Sequence, residues 1–240
     1  MKKIIVIIFL FPLAVFAQKN YDSLLDNYMQ AQVAVYDFSG AVLVAQKGKV
    51  IYEKAFGMAN REWNIPNTVQ TKFRIASITK QFTAAAILQL AEQGKLTLDD
   101  KLSKYFPDFP KGDSVTIHML LNHTSGIKDF FKIPTFTTTV EVLPYSKDSV
   151  VAFFKNQPYD FSPGSQFRYN NSAYFLLGCI IEKVSGQTYS TYLNQNLITK
   201  AGLQNTSVNE LDSILANRAS GYTHGVRLEK CEVYFNGISL

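Results

Sequence analysis

Phe73-Arg74-Ile75-Ala76-Ser77-Ile78-Thr79-Lys80 runs directly into Gln81-Phe82-Thr83-Ala84-Ala85-Ala86-Ile87-Leu88-Gln89-Leu90. The first four residues read as an apolar, strand-like approach. The segment Phe82–Leu90 is almost wholly apolar and reads as a helix buried on all sides. Gly94 follows where a helix-ending glycine belongs. Ser77 and Lys80 therefore open a core helix, three residues apart, and positions i and i+3 share one helix surface. A serine hydroxyl is a weak nucleophile and needs a nearby base. An amine within hydrogen-bond reach serves once burial disfavours its charged form. The helix N-terminus adds a positive potential that favours developing negative charge. In isolation, Ser-x-x-Lys is far more often a helix cap followed by a surface charge. The apolar run behind it favours the chemical reading.

A second constellation lies at Tyr169-Asn170-Asn171. Phe161-Ser162-Pro163-Gly164 before it is a tight-turn signal. Ser172–Val184 after it is helical in pattern and closes at Ser185-Gly186. Tyr169 thus sits on a loop that a rigid scaffold can aim. A phenol beside an ammonium can act as a base. Asn171 is placed to orient Lys80 or to hold a substrate carbonyl. The competing view is an asparagine-rich helix cap beside a surface tyrosine.

Several further stretches fall in one order along the chain. They are Phe38–Val44 with Gly48–Tyr52, Ala55–Asn60, Thr71–Lys80, Leu120-Leu121-Asn122-His123-Thr124-Ser125-Gly126-Ile127, Phe161–Asn171 and Leu177–Glu182. Together they resemble the serine β-lactamase superfamily, in its branch of class C β-lactamases, D-alanyl-D-alanine carboxypeptidases and esterases. Collinear matching from about Asp37 to about Tyr222 is far more specific than either short motif. The resemblance implies a mixed α/β (α+β) fold of the β-lactamase/transpeptidase type, with a helical lobe packed on an antiparallel sheet. It also implies acyl-enzyme chemistry. Ser77 would attack a carbonyl, Lys80 and Tyr169 would move the proton, and Asn171 would hold Lys80 and the substrate. No cofactor and no metal are implied.

The same resemblance brings an expectation of incompleteness. The family carries a Lys-Thr-Gly or His-Thr-Gly strand that lines the cleft and supplies one of two oxyanion donors. Thr223-His224-Gly225 has the wrong order and follows Asn171 too closely to serve. Loss of one oxyanion donor costs about 10²–10³ in turnover. A lone hairpin near Ala41–Ala55 is also marginal in water and presents an open edge. Two function classes follow. One is a secreted serine hydrolase acting on β-lactams, D-Ala peptides or small esters. The other is a truncated, non-catalytic remnant or binding protein.

Met1-Lys2-Lys3, the apolar run Ile4–Phe16 and the small residues at Val15-Phe16-Ala17 read as a signal peptide over 1–17, leaving 18–240 as the family domain. The run is shorter than a membrane span needs. Secretion or a periplasmic location follows. Hydrophobic content of 47% with 18% charged residues excludes disorder. The formal charge of +5 becomes +3 without Lys2 and Lys3, and basic residues do not cluster, so nucleic acid is excluded as a partner. The expected partner is a small-molecule or peptide substrate, and oligomeric state is left open. Cys179 reads as a buried thiol inside a helix, with pairing to Cys231 undecided. His118 and His123 lack the neighbours of a zinc site, and His123 reads as a structural hydrogen-bond residue. Asp99-Asp100 reads as a turn. Other expected elements are helices at Asn20–Ala31, Val115–Asn122, Lys147–Lys155 and Ser190–Leu197, and a hairpin of Ala41–Gln46 with Val50–Ala55.

Overall fold

The computed structural model describes residues 21–134, 136, 146–210 and 214–222. The expected signal peptide, Thr223-His224-Gly225 and Cys231 lie outside the described residues. The chain divides into two compact units, Met1–Thr71 and Lys72–Leu240.

In the first unit, helix α1 covers Tyr21–Tyr36 and runs five residues beyond its expected end. Its only buried side chain is Met29, while Leu24 and Tyr28 are exposed. Strands β1 (Gly40–Gln46) and β2 (Lys49–Phe56) pair antiparallel, with Gln46 opposite Lys49 and a bulge at Val44/Ala45. Lys47 and Gly48 both have positive φ, at 51° and 75°. Two consecutive left-handed residues match the twist of a tight hairpin, and glycine takes the second position without steric cost. Asp26 of α1 accepts from the Tyr52 hydroxyl at 2.9 Å and from Lys54 Nζ at 2.6 Å, tying α1 to β2. Short strands β3 (Met58–Asn60) and β4 (Ile65–Pro66) form a second antiparallel pair.

The second unit is helical. A 3₁₀ turn at Ala76–Ile78 leads into α2, Thr79–Glu92. Phe73–Ile75 form no strand, and Phe73 and Ile75 are exposed. The approach is held instead by an isolated parallel bridge between Lys72 and Arg218. Nor is α2 buried all round. Lys80, Thr83, Ala86, Ile87 and Leu90 form its buried stripe, whereas Leu88 is half exposed. Spacings of three and four select one face of a 3.6-residue repeat, so continuous apolarity in sequence overstated the burial. At its end, Gly94 (φ 68°) donates to Ala91 O at 2.9 Å and Lys95 N donates to Leu90 O at 3.0 Å. This paired closure requires a left-handed residue, which glycine supplies.

Helices α3 (Leu102–Tyr105), α4 (Ile117–Leu121), α5 (Lys147–Lys155), α6 (Asn171–Ser185) and α7 (Tyr189–Leu193) follow in the same unit. A wide turn at Asn194–Ile198 follows α7. Helix α6 is the central element. Every residue from Ser172 to Ile181 is buried, and α6 packs against α2, α4, α5 and α7. Phe130, Phe136 and Phe154 are fully or almost fully buried around its Phe175. Aromatic side chains of this size carry much of a core's apolar burial. A buried hydrogen bond of 2.7 Å joins Thr83 of α2 to Tyr189 of α7. Cys179 lies inside α6 as a free, buried thiol, and burial pushes it up to about 12. It is correspondingly unreactive as a thiolate.

Candidate active site

Helix α2 and helix α6 meet with their N-terminal ends together, and this brings the two sequence motifs to one point. The Tyr169 hydroxyl donates to Ser77 Oγ at 2.7 Å, across 92 residues of chain. Lys80 Nζ donates to the same oxygen at 3.2 Å and to Asn171 Oδ1 at 3.0 Å. All four residues singled out in the sequence therefore share one hydrogen-bonded group. Ser77 and Tyr169 are exposed, Lys80 is only 7% exposed, and Asn171 is intermediate. An exposed hydroxyl in contact with a buried amine and a phenol is an arrangement compatible with serine activation.

Lys80 is a buried ammonium without a carboxylate partner among the described residues. Its surroundings are polar in other ways. Besides the two oxygens, its Nζ lies 4.9 Å from the Tyr169 ring centroid and 5.6 Å from that of Tyr174. Ring faces attract a cation, though less than an ion pair in low dielectric. Ala76, just before Ser77, has φ 44°. For an alanine this left-handed geometry costs about 1–3 kcal/mol, and such strain concentrates where a side chain must be aimed.

The Tyr169 loop is fastened to the loop of His123–Gly126. Asp160 N donates to Gly126 O at 2.8 Å, Gly164 N to Thr124 O at 2.8 Å, and Arg168 N to His123 O at 2.9 Å. Asp160 also accepts from Lys128 at 2.9 Å and from Arg168 at 3.1 Å. His123 Nδ1 accepts from Asn170 N at 3.1 Å, which requires the proton on Nε2. His123 makes the structural bond expected of it, and its ring also packs 4.7 Å from Tyr169 and 5.0 Å from Tyr174. Burial, and then the positive charge of Lys80, lower its pKa below the usual 6.5. Burial raises the Tyr174 phenol, with the nearby Tyr169 adding to the effect. Tyr174 donates to Leu121 O at 2.9 Å.

Asn170 and Asn171 divide two tasks. Asn170 is the helix cap, since its side-chain oxygen accepts from Ala173 N at 2.7 Å. Its amide donates to Ile127 O at 2.6 Å. Asn171 turns the other way, toward Lys80. Sequence reading overlooked Asp129, which is 4% exposed and accepts from both the backbone and the side-chain N–H groups of Asn171 at 3.0 Å. No spacing rule links residues 42 apart. Asp129 stands between Lys128 and Phe130, and neither neighbour marks it out. Tyr174 was also missed, although it lies one helical turn after Asn171 and so faces the same side.

Outside this group the cleft is mostly apolar, with Arg74, Asn209 and Arg218 also in its lining. It encloses about 500 Å³ and is lined by Ser77 and Asn171 together with Phe82, Phe131, Leu193 and Ile198, among others. Among the described residues no three His, Cys, Asp or Glu side chains converge as a metal site.

A sequence model of the family described as Beta-lactamase matches residues 25–232. The chain belongs to the β-lactamase family. A penicillin-binding protein of Bacillus subtilis strain 168 is 34% identical over 175 residues, covering 72% of this chain and 38% of the relative. The crystal structure of a penicillin-binding protein from Bacillus halodurans superposes with a TM-score of 0.73 at 36% identity, over 82% of this chain and 60% of that one. A class C β-lactamase superposes with a TM-score of 0.74 at 25% identity, over 89% and 58%. The chain thus spans about two fifths of the length of the curated relatives it matches. The mixed α/β architecture is that of the β-lactamase/transpeptidase fold. Among the described residues no helix is long and apolar enough to cross a membrane.

Proposed function

We propose that this β-lactamase-family chain is a serine hydrolase that forms an acyl-enzyme on Ser77. The observation that carries the reading is the three-way contact at Ser77 Oγ, which meets the Tyr169 hydroxyl at 2.7 Å and Lys80 Nζ at 3.2 Å. As Oγ attacks a carbonyl carbon, its proton leaves along one of these two contacts and later returns to the leaving group. Lys80 and Tyr169 act as one coupled pair in this transfer. Asn171 holds Lys80 through its oxygen, and it lines the cleft where a substrate amide would lie. The substrates are acyl compounds of the β-lactam, D-Ala-peptide or small-ester classes. Relatives described as penicillin-binding proteins and as a hydrolase with acyltransferase activity support that range. Residues 1–17 act as an export signal and 18–240 as the family domain, which puts the reaction outside the cytoplasm.

A fluorescent penicillin and a fluorophosphonate, read by intact mass, test the assignment. One covalent adduct per chain is expected on the wild type and none on Ser77→Ala. An adduct that persists on Ser77→Ala dismisses Ser77 as the nucleophile.

A further inference from the structure

Asp129 has no task in the mechanism above, yet it is a buried carboxylate beside the reacting group. Among the described residues it accepts no bond from a cationic side chain. Its Oδ1 accepts from Phe131 N at 2.9 Å, which suffices to cap the 3₁₀ turn Phe130–Lys132. Its Oδ2 is spent otherwise. That oxygen accepts from Asn171 N and Asn171 Nδ2, each at 3.0 Å.

The second pair of bonds fixes a direction. A carboxamide can turn over by exchanging its oxygen and its NH₂, and the two forms have almost the same shape. A carboxylate only accepts, so the NH₂ of Asn171 must face Asp129. The opposite atom, Oδ1, must then face Lys80, where it receives a hydrogen bond at 3.0 Å. The reversed amide would set NH₂ against ammonium, donor against donor, and leave Oδ2 facing an oxygen. Both contacts are partly buried, where such mismatches cost more than in open water.

We propose that Asp129 is a positioning residue that locks the Asn171 carboxamide with its oxygen toward Lys80. The functional part of this proposal rests on the reading of Ser77 as the nucleophile. Asp129 touches no substrate. It acts through Asn171 on the orientation of Lys80, and so on the alignment of the amine with Ser77 Oγ.

The test uses Asp129→Asn in the full chain and has two arms. In the first, solvent exchange of the Asn171 carboxamide protons is followed by NMR in protein labelled with ¹⁵N-asparagine. Exchange roughly tenfold faster in D129N is expected, and an unchanged rate overturns the proposal. In the second, Ser77 acylation by a fluorophosphonate is resolved into binding and chemical steps. The chemical step should slow about ten- to a hundredfold, with binding unchanged. A chemical step at the wild-type rate, or a loss confined to binding, overturns it. If wild-type Ser77 takes no label, the hydrolase reading fails and the exchange arm still decides the orientation. The wild type alone gives a third measurement, independent of whether D129N folds. NOE contacts from the Asn171 carboxamide protons to the Asp129 Hβ protons are expected. Contacts to the Lys80 Hε protons in their place would overturn the proposal.

Discussion

Replacing Asp160 by Asn should loosen the loop that carries Tyr169, with a pH signature that identifies the cause. Asp160 has a side chain only 10% exposed and bridges Lys128 and Arg168, whose side chains are 30% and 45% exposed. Those two cations adjoin Asp129 and Tyr169 in sequence, so the bridge spans the two segments that build the site. A fully buried pair broken on one side costs 3–5 kcal/mol, whereas an exposed pair is worth 0–1 kcal/mol. Both cations here can turn to water once released, so the cost at pH 7 should be about 1–2 kcal/mol, or about 2–8 °C in Tm. Burial alone would raise the Asp160 carboxyl, but the hydrogen bonds and charges of Lys128 and Arg168 outweigh it and hold it below 3.8. A depressed native pKa means that the unfolded chain takes up the proton first as pH falls. The stabilisation is therefore complete above the ordinary carboxyl range and fades as pH drops through 3.8 and below. Urea melts of wild type and D160N between pH 7 and pH 3 check this. The stability gap should be largest at neutral pH and shrink in acid. A gap of the same size at pH 7 and pH 3 would refute the electrostatic reasoning, and no gap at all would refute the bridge.

Two further outcomes follow from the same loops. Gly126 has φ 72°, and a methyl group there would sit 2.1 Å from Phe161 O, so G126A should cost about 3 kcal/mol or more and be seen in thermal melts. A melt within 1 kcal/mol of wild type would show that the two loops are not so closely joined. His123 should titrate below 6.5 in the folded protein by NMR, because burial and then the positive charge of Lys80 disfavour its charged form. The unfolded state then binds the proton first, so this histidine's share of stability is lost as pH falls below 6.5. A His123 midpoint above 6.5 would contradict that environment.

Residue pattern made most of the site legible, and topology hid the rest. Ser77 and Lys80 are three apart on one helical start, so local periodicity was enough to pair them. Tyr169 and Asn171 came from a turn signal followed by a helix. Their meeting with Ser77 depends on α2 and α6 packing with adjacent N-termini, which no local rule encodes. The family resemblance supplied that step. Asp129 lay beyond both sources, because its partner is 42 residues away and its own neighbours, Lys128 and Phe130, form no motif with it. In the fold, Lys147–Lys155 appears with its expected limits, since Ser146 caps it and Lys155 closes its last turn. Helix α2 was read as wholly buried because its side chains are nearly all apolar. Burial is set by which face meets α6, and the stripe from Lys80 to Leu90 settles it. Phe73–Ala76 looked like a strand from apolarity alone. The left-handed Ala76 opens a 3₁₀ turn that bends the chain toward the helix instead.

The central claim is that the oxygen shared by Tyr169 and Lys80 is the one that becomes acylated. Peptide mapping of a trapped penicilloyl adduct by fragmentation mass spectrometry tests it most directly. The adduct should fall on Ser77, within the peptide Ile75–Lys80 bounded by Arg74 and Lys80. An adduct carried by any other residue, with Ser77 unmodified, would contradict the account.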